Sequence, residues 1–161
     1  MGAVEVRSDR RHRFDVDRQV LWAAITSVED FSAWWPWLRG FDGERLAVGE
    51  TWDCTVQPPL PYSLHFVLEI DEVVPYELVT ARVSGDLTGS ARLEVRDLSS
   101  EEETRSEIRL TSDLEPANRV LRTFALMARP VVRFGHDWVL DTGVQQFRSR
   151  ALSAGRARGG P

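Results

Sequence analysis

Between Gly49 and Leu114 the chain alternates apolar and polar residues in stretch after stretch, with glycine, proline or acidic turns between them. No other feature narrows the fold as much, because a period of two puts every apolar side chain on one face of a strand. The strand predicted over Gly49–Gln57 carries Trp52, Cys54 and Val56 on one face and Thr51, Asp53 and Thr55 on the other. Pro58, Pro59 and Pro61 then force a loop. Leu64, Phe66, Leu68 and Ile70 form the core face of one long strand, Tyr62–Val74, which Pro75 ends. Val79, Ala81 and Val83 point inward from Glu77–Ser84, and Gly85-Asp86 with Gly89 punctuates a hairpin. Ala91, Leu93 and Val95 follow, opposite Arg92, Glu94 and Arg96. After an acidic turn at Ser99–Thr104, Ile108, Leu110 and Ser112 face inward from Arg105–Leu114. Glu44–Val48 reads as one further short strand. Alternation on successive hairpins makes an antiparallel sheet with one wet and one dry face.

The dry face needs a cover, and only Pro116–Leu152 is long enough to supply it. Leu121, Phe124, Ala128, Val131 or Val132, Gly135, Val139, Thr142 and Phe147 recur there at helical spacing. The stretch reads as one helix, or as two colinear pieces broken near Pro130. A proline inside a helix costs about 3 kcal/mol, so Pro130 reads as a kink fitting the helix to a curved sheet, or as a hinge that admits ligand. Gly135 and Gly143 allow the helix backbone to approach the sheet closely. Ahead of the sheet, Arg11–Val16 is a strand with Phe14 and Val16 facing one way and His12 the polar way. Asp17 is placed to cap a helix over Arg18–Thr26, with Val20, Leu21, Ala24 and Ile25 at core spacing. Asp30 caps a second short helix through Phe31 and Trp34, which Pro36 ends.

A chain of 161 residues, 42% hydrophobic and 28% charged, is expected to form one domain over residues 1–152. Ser153–Pro161 lacks periodicity and is expected to be a disordered tail. The net charge of −5 argues against a nucleic-acid partner. All 20 basic residues are arginine, scattered along the chain, as a GC-rich genome would produce. No apolar run approaches the roughly 20 residues needed for membrane insertion, and Met1–Arg13 lacks a secretory core. Cys54 stands alone, which excludes an intramolecular disulfide and suits a reducing cytoplasm. The histidines at 12, 65 and 136 lie on different elements, there is no phosphate-cradling glycine loop, and no metal or cofactor is expected. Oligomeric state is not legible.

The order strand, two short helices, about six strands, long helix resembles the START-like (SRPBCC) superfamily. Phe14-Asp15-Val16 followed by Val20-Leu21-Trp22 is similar to the family's opening strand and first helix. Trp35-Pro36-Trp37 sits where many members carry a Trp-Pro-x-Trp-like stretch. Ser84–Gly89, Arg129-Pro130 and Gly135-His136-Asp137-Trp138-Val139 resemble bacterial polyketide cyclase/dehydrase-like proteins. The resemblance spans roughly residues 10 to 150, and its motifs mark fold rather than reaction. It implies an α+β helix-grip fold, a curved antiparallel sheet wrapped around a long C-terminal helix, and an apolar cavity between them. It implies as partner a small apolar molecule, lipid- or polyketide-like, and some members are enzymes.

On that fold the expected cavity lining is Trp35, Trp37, Trp52, Cys54, Leu64, Phe66, Leu68, Val83, Leu93, Leu110, Phe124, Ala128, Val132 and Val139. Polar groups inside are few. Cys54 has no base beside it and reads as a small core residue. His65, Arg82, Arg92 and Arg109 fall on the wet face, the arginines in a ladder with Glu94 and Glu107. Two residues stand out for catalysis. His136 shares a helix face with Val132, Arg129 and Leu140 and could exchange protons during ring closure or dehydration. Tyr62, at the rim, could orient a ligand. Asp137 points about 100° away from His136 and is a poor orienting partner. Three functions follow: a binder of a small apolar molecule, a polyketide cyclase or aromatase, and an interaction module using the tryptophan patch.

Overall fold

A computed structural model of the chain describes residues 5–59, 62–117 and 129–152, with side chains from residue 137 onward in the last segment. Seven strands are present: β1 (Val6–Phe14), β2 (Leu38–Asp42), β3 (Thr51–Val56), β4 (Leu64–Val74), β5 (Leu78–Gly85), β6 (Leu87–Asp97) and β7 (Ser106–Pro116). They form one antiparallel sheet in the order β1-β7-β6-β5-β4-β3-β2, curled into a half-barrel. The first strand pairs with the last, from Val6 opposite Leu114 to Phe14 opposite Ser106. Helix α1 (Arg18–Ile25), a 3-10 turn (Val28–Asp30) and helix α2 (Phe31–Trp34) follow β1. Helix α3 (Arg129–Gln146) runs into a single π-helical turn, Phe147–Ala151.

Local chemistry explains the elements that agree with expectation. Asp17 caps α1, its Oδ1 accepting the Val20 N–H at 2.8 Å, which satisfies one of the orphan donors of the first turn. β3, β5, β6 and β7 keep the predicted inward faces, with Cys54, Val56, Val79, Ala81, Val83, Val95 and Ile108 all buried. His65 is on the exposed face, hydrogen-bonded to Asp53 Oδ1 at 2.7 Å. Arg82 pairs there with Glu69 and Asp71, and Arg92 and Arg109 both reach Glu94.

Several expectations are corrected. Pro116 closes β7 rather than opening a helix, and the described part of α3 starts at Arg129. Glu44–Val48 is loop; the extra strand is Leu38–Asp42, which pairs along β3 despite Gly40, a weak strand former. β4 does not alternate throughout: the register shifts between Ile70 and Glu72, so the inward set moves from Ile70 to Val73. In α1, Val20 is exposed while Trp22 is buried, tilted against Tyr76 with ring centroids 6.0 Å apart. Asp30 makes no side-chain cap. Glu107 makes its ion pair with Arg13, while its charge still acts on Arg109 of the ladder. The tail, Ser153–Pro161, lies outside the described residues.

The core sits between the inner face of the sheet and the helices. Phe147, in the π turn, is set edge-on to Phe14 (5.9 Å) and Trp34 (5.8 Å). Two arginines lock this end. The Arg148 guanidinium donates to the Arg13 carbonyl at 2.9 Å and lies 4.8 Å above the Phe14 ring. Arg150 donates to the Trp34 carbonyl at 2.9 Å, covering an acceptor left open at the end of α2.

His12 is also corrected. It has the same parity as Phe14, and β1 puts both on the inner face. Its Nε2 is buried with no hydrogen-bond partner among the described residues. Burial lowers its pKa, and the nearby Arg148 and Arg10 add to the shift while Asp141 opposes it. The unfolded chain therefore takes up a proton that the folded state resists. Stability is held above the unfolded pKa near 6.5 and falls as the pH drops through it, by at most about 1.4 kcal/mol per pH unit from one group. Urea midpoints from pH 7 to 5 should drop less in His12→Phe than in wild type; parallel curves would remove His12 from the acid response.

Candidate functional site

Pairing register creates the site. Ser8, Ser112, Ala91 and Ala81 stand side by side across β1, β7, β6 and β5. The next row is bulkier, with Leu110, Leu93 and Val79. A row of small side chains beneath a helix leaves a gap that large ones would fill. The gap is a cavity of about 350 Å³ bordered by all four small residues, at the lower end of the roughly 300–1,000 Å³ typical of small-molecule sites. On the helix side it meets Val139, Leu140, Gly143, Val144 and Phe147.

One end of the cavity is aromatic, with Phe31, Trp35, Trp37 and Trp52. Phe31 is the hub, its ring 4.9 Å from Trp35, 5.7 Å from Phe41 and 5.7 Å from Trp52. Two indoles are fastened to α3. Trp35 Nε1 donates to the Gly143 carbonyl and Trp37 Nε1 to Gln146 Oε1, each at 2.9 Å. Their polar edges are thereby satisfied on the helix, and their apolar bodies border the cavity. Gly143 makes its close approach to these tryptophans rather than to the sheet: a Cβ there would lie 3.2 Å from Trp37 Cζ2.

Seven of the residues predicted to line the cavity border it: Trp35, Trp37, Trp52, Leu68, Leu93, Leu110 and Val139. Cys54, Leu64, Phe66 and Val83 do not. Cys54 pairs with Phe66, and Leu64 with Val56, in rows beyond the Trp52–Leu68 pair that borders the gap; Val83 continues that pair's row without reaching the cavity. Phe124 and Ala128 lie outside the described residues, as do the side chains of Val132 and His136. Asp137 is turned to β1, its Oδ1 3.0 Å from the Arg10 guanidinium. Tyr62 is half-buried, which raises its pKa, and it does not border the cavity.

Cys54 contributes no nucleophile. Burial, with the Asp53 charge adding, pushes its thiol up to about 12, so almost no thiolate exists at neutral pH. Among the described residues no three His, Cys, Asp or Glu side chains gather as metal ligands, and no helix is long and apolar enough to cross a membrane. The tryptophan stretch does not form an exposed indole patch: Trp34 is buried and Trp35 and Trp37 are half-buried against α3. Ser8 and Phe31 border the cavity without being marked for it in the sequence. Extending the period of two from Phe14 back to Val6 would have turned Ser8 inward, while nothing local marks Phe31 as the aromatic hub.

No protein-family model matches the chain, and no curated protein matches its sequence. Solved structures do match. The ZhuI aromatase/cyclase of Streptomyces sp. R1128 superposes with a TM-score of 0.78 at 12% identity, over 98% of this chain and 99% of that one. A START superfamily protein of Mycobacterium smegmatis gives 0.69 at 13% identity, over 92% and 98%. Norcoclaurine synthase of Thalictrum flavum, in complex with dopamine and hydroxybenzaldehyde, gives 0.66 at 12% identity, over 94% and 88%. Identities this low speak to architecture alone, and with the curled seven-stranded sheet and its C-terminal helix they establish that this chain has the START-like helix-grip fold.

Proposed function

We propose that the protein encloses one small, mostly apolar molecule between its sheet and α3. The observation that carries this reading is the cavity of about 350 Å³ walled almost entirely by aliphatic and aromatic side chains. Such a wall rewards an apolar guest by the surface taken from water, about 25 cal/mol per Å², and would penalise an unpaired polar one. Trp35, Trp37 and Trp52 border the space, so a guest should alter indole emission. Titration with a panel of aromatic and aliphatic apolar compounds is expected to give a saturable change in tryptophan fluorescence. A flat response to the whole panel would end this reading.

A second reading is favoured by the end-to-end likeness to an aromatase/cyclase. A cavity that folds a reactive poly-β-keto chain into one shape can promote ring closure or dehydration by confinement, so sparse polar machinery does not oppose it. His136 is the candidate proton-exchanging residue; Tyr62, which does not border the cavity, is the candidate for orienting the chain before it enters. The test is conversion of a poly-β-keto thioester by wild type, His136→Ala and Tyr62→Phe. Altered product ratios in either variant support the assignment, and identical profiles remove that residue from the mechanism.

A further inference from the structure

We propose that the Ser8–Ser112 hydroxyl pair is the polar anchor of the cavity, and that the guest is a neutral molecule presenting one hydrogen-bonding oxygen, an alcohol, phenol or ketone, rather than an anion. This rests on the cavity reading above and adds the chemistry of its occupant. Ser8 and Ser112 are directly opposed across β1 and β7, both border the cavity, and their Oγ atoms are 2.7 Å apart. Arg92 and Thr111 also border it, but they occupy the alternate register positions, paired with each other between the inward Ala91–Ser112 and Leu93–Leu110 pairs. The Arg92 guanidinium is held by Glu94 at 3.1 Å.

Two facing hydroxyls bring two protons and several lone pairs. One proton is consumed in the bond between them. The other remains to donate to a guest oxygen, and the lone pairs can accept from a guest hydroxyl. Ala91, opposite Ser112 on the next strand, leaves space above the pair.

Charge decides against an anion. Arg10, on the same face of β1, is neutralised by Asp137 at 3.0 Å, and burial favours the uncharged form of His12 beyond it. Among the described residues, then, the one cation that borders the gap, Arg92, is paired with Glu94, and Arg148, which does not border it, is held on the Arg13 carbonyl. A carboxylate entering it would lose its water for two neutral hydroxyls, a poor exchange for a full charge.

The test is calorimetric titration at pH 7.5 with three probes of matched shape: 2-ethylnaphthalene, 2-acetylnaphthalene and 2-naphthoate. Wild type should bind the ketone at least about 5-fold more tightly than the hydrocarbon, the gain from one hydrogen bond, and the carboxylate most weakly. The Ser8→Ala/Ser112→Ala double variant should lose the ketone's advantage while keeping hydrocarbon affinity, which also reports that it is folded. Naphthoate binding as tightly as the ketone would overturn the neutral-guest assignment, and a ketone advantage that survives the double variant would overturn the anchor. Ala91→Leu, which fills the gap, should abolish binding of all three. Should wild type bind none of them, or Ala91→Leu bind the hydrocarbon unimpaired, the cavity reading itself fails and the anchor with it.

Discussion

Replacing Phe31 with alanine is expected to lower the unfolding free energy by about 3–5 kcal/mol, the range for deleting a buried phenyl group. Phe31 is 7% exposed and touches four aromatic rings, those of Trp34, Trp35, Phe41 and Trp52. Each contact adds to the area term, since tilted and edge-on ring pairs are favourable beyond burial. The surrounding rings cannot collapse freely into the space, because the indole N–H of Trp35 is tied to α3 and that of Trp52 to the Arg45 carbonyl. In a chain of 161 residues such a loss lowers the melting temperature by about 10 °C. Urea denaturation followed by tryptophan emission checks it. A loss below about 1 kcal/mol would mean that the hub is not a packed unit. Any variant that survives should also bind apolar probes more weakly, since the same ring borders the cavity.

Gly89→Ala should be comparably damaging for a different reason. Gly89 has φ +145, a region that costs a side chain about 1–3 kcal/mol in strain. A Cβ there would also collide with the Asp113 carbonyl and come within 3.1 Å of Leu114 Cα, so the β7 backbone must move. Gly89 is paired with Leu114, and the displaced segment is the part of β7 that holds Ser112 beside Ser8. A loss of about 3 kcal/mol or more is expected, with broadened near-ultraviolet circular dichroism. Gly49→Ala is the internal comparison. It carries the strain of φ +86 without any atom near its Cβ, and should cost about 1–2 kcal/mol. Equal losses in the two variants would refute the backbone collision.

Much of the architecture was legible because strands announce themselves through parity. The faces of β3, β5, β6 and β7 followed from counting residues by twos, and Asp17 was recognisable as a cap from its place before an apolar period. The errors came where a long-range partner overrode local pattern. β1 extends back to Val6 because β7 offers pairing groups along its whole length, although Arg7, Asp9, Arg10 and Arg11 do not look like strand. β2 forms across Gly40 because β3 supplies its hydrogen bonds. The bulge in β4 is a property of two strands meeting, and Leu64–Val74 alone contains no mark of it.

The candidate site was legible by face but not by row. Parity told that Cys54, Phe66, Leu68 and Leu93 share the inner face, yet Leu68 and Leu93 border the cavity and the other two are packed away from it. The sequence by itself determined which side of each strand is dry, that the dry side needs a helix, and that little inside can carry charge. Only the tertiary structure decided where the empty space lies. That depends on register, which set Ser8, Ser112, Ala91 and Ala81 in one line across three consecutive strands and the first strand of the chain, and a gap arises from what is missing across neighbours rather than from any residue along the way.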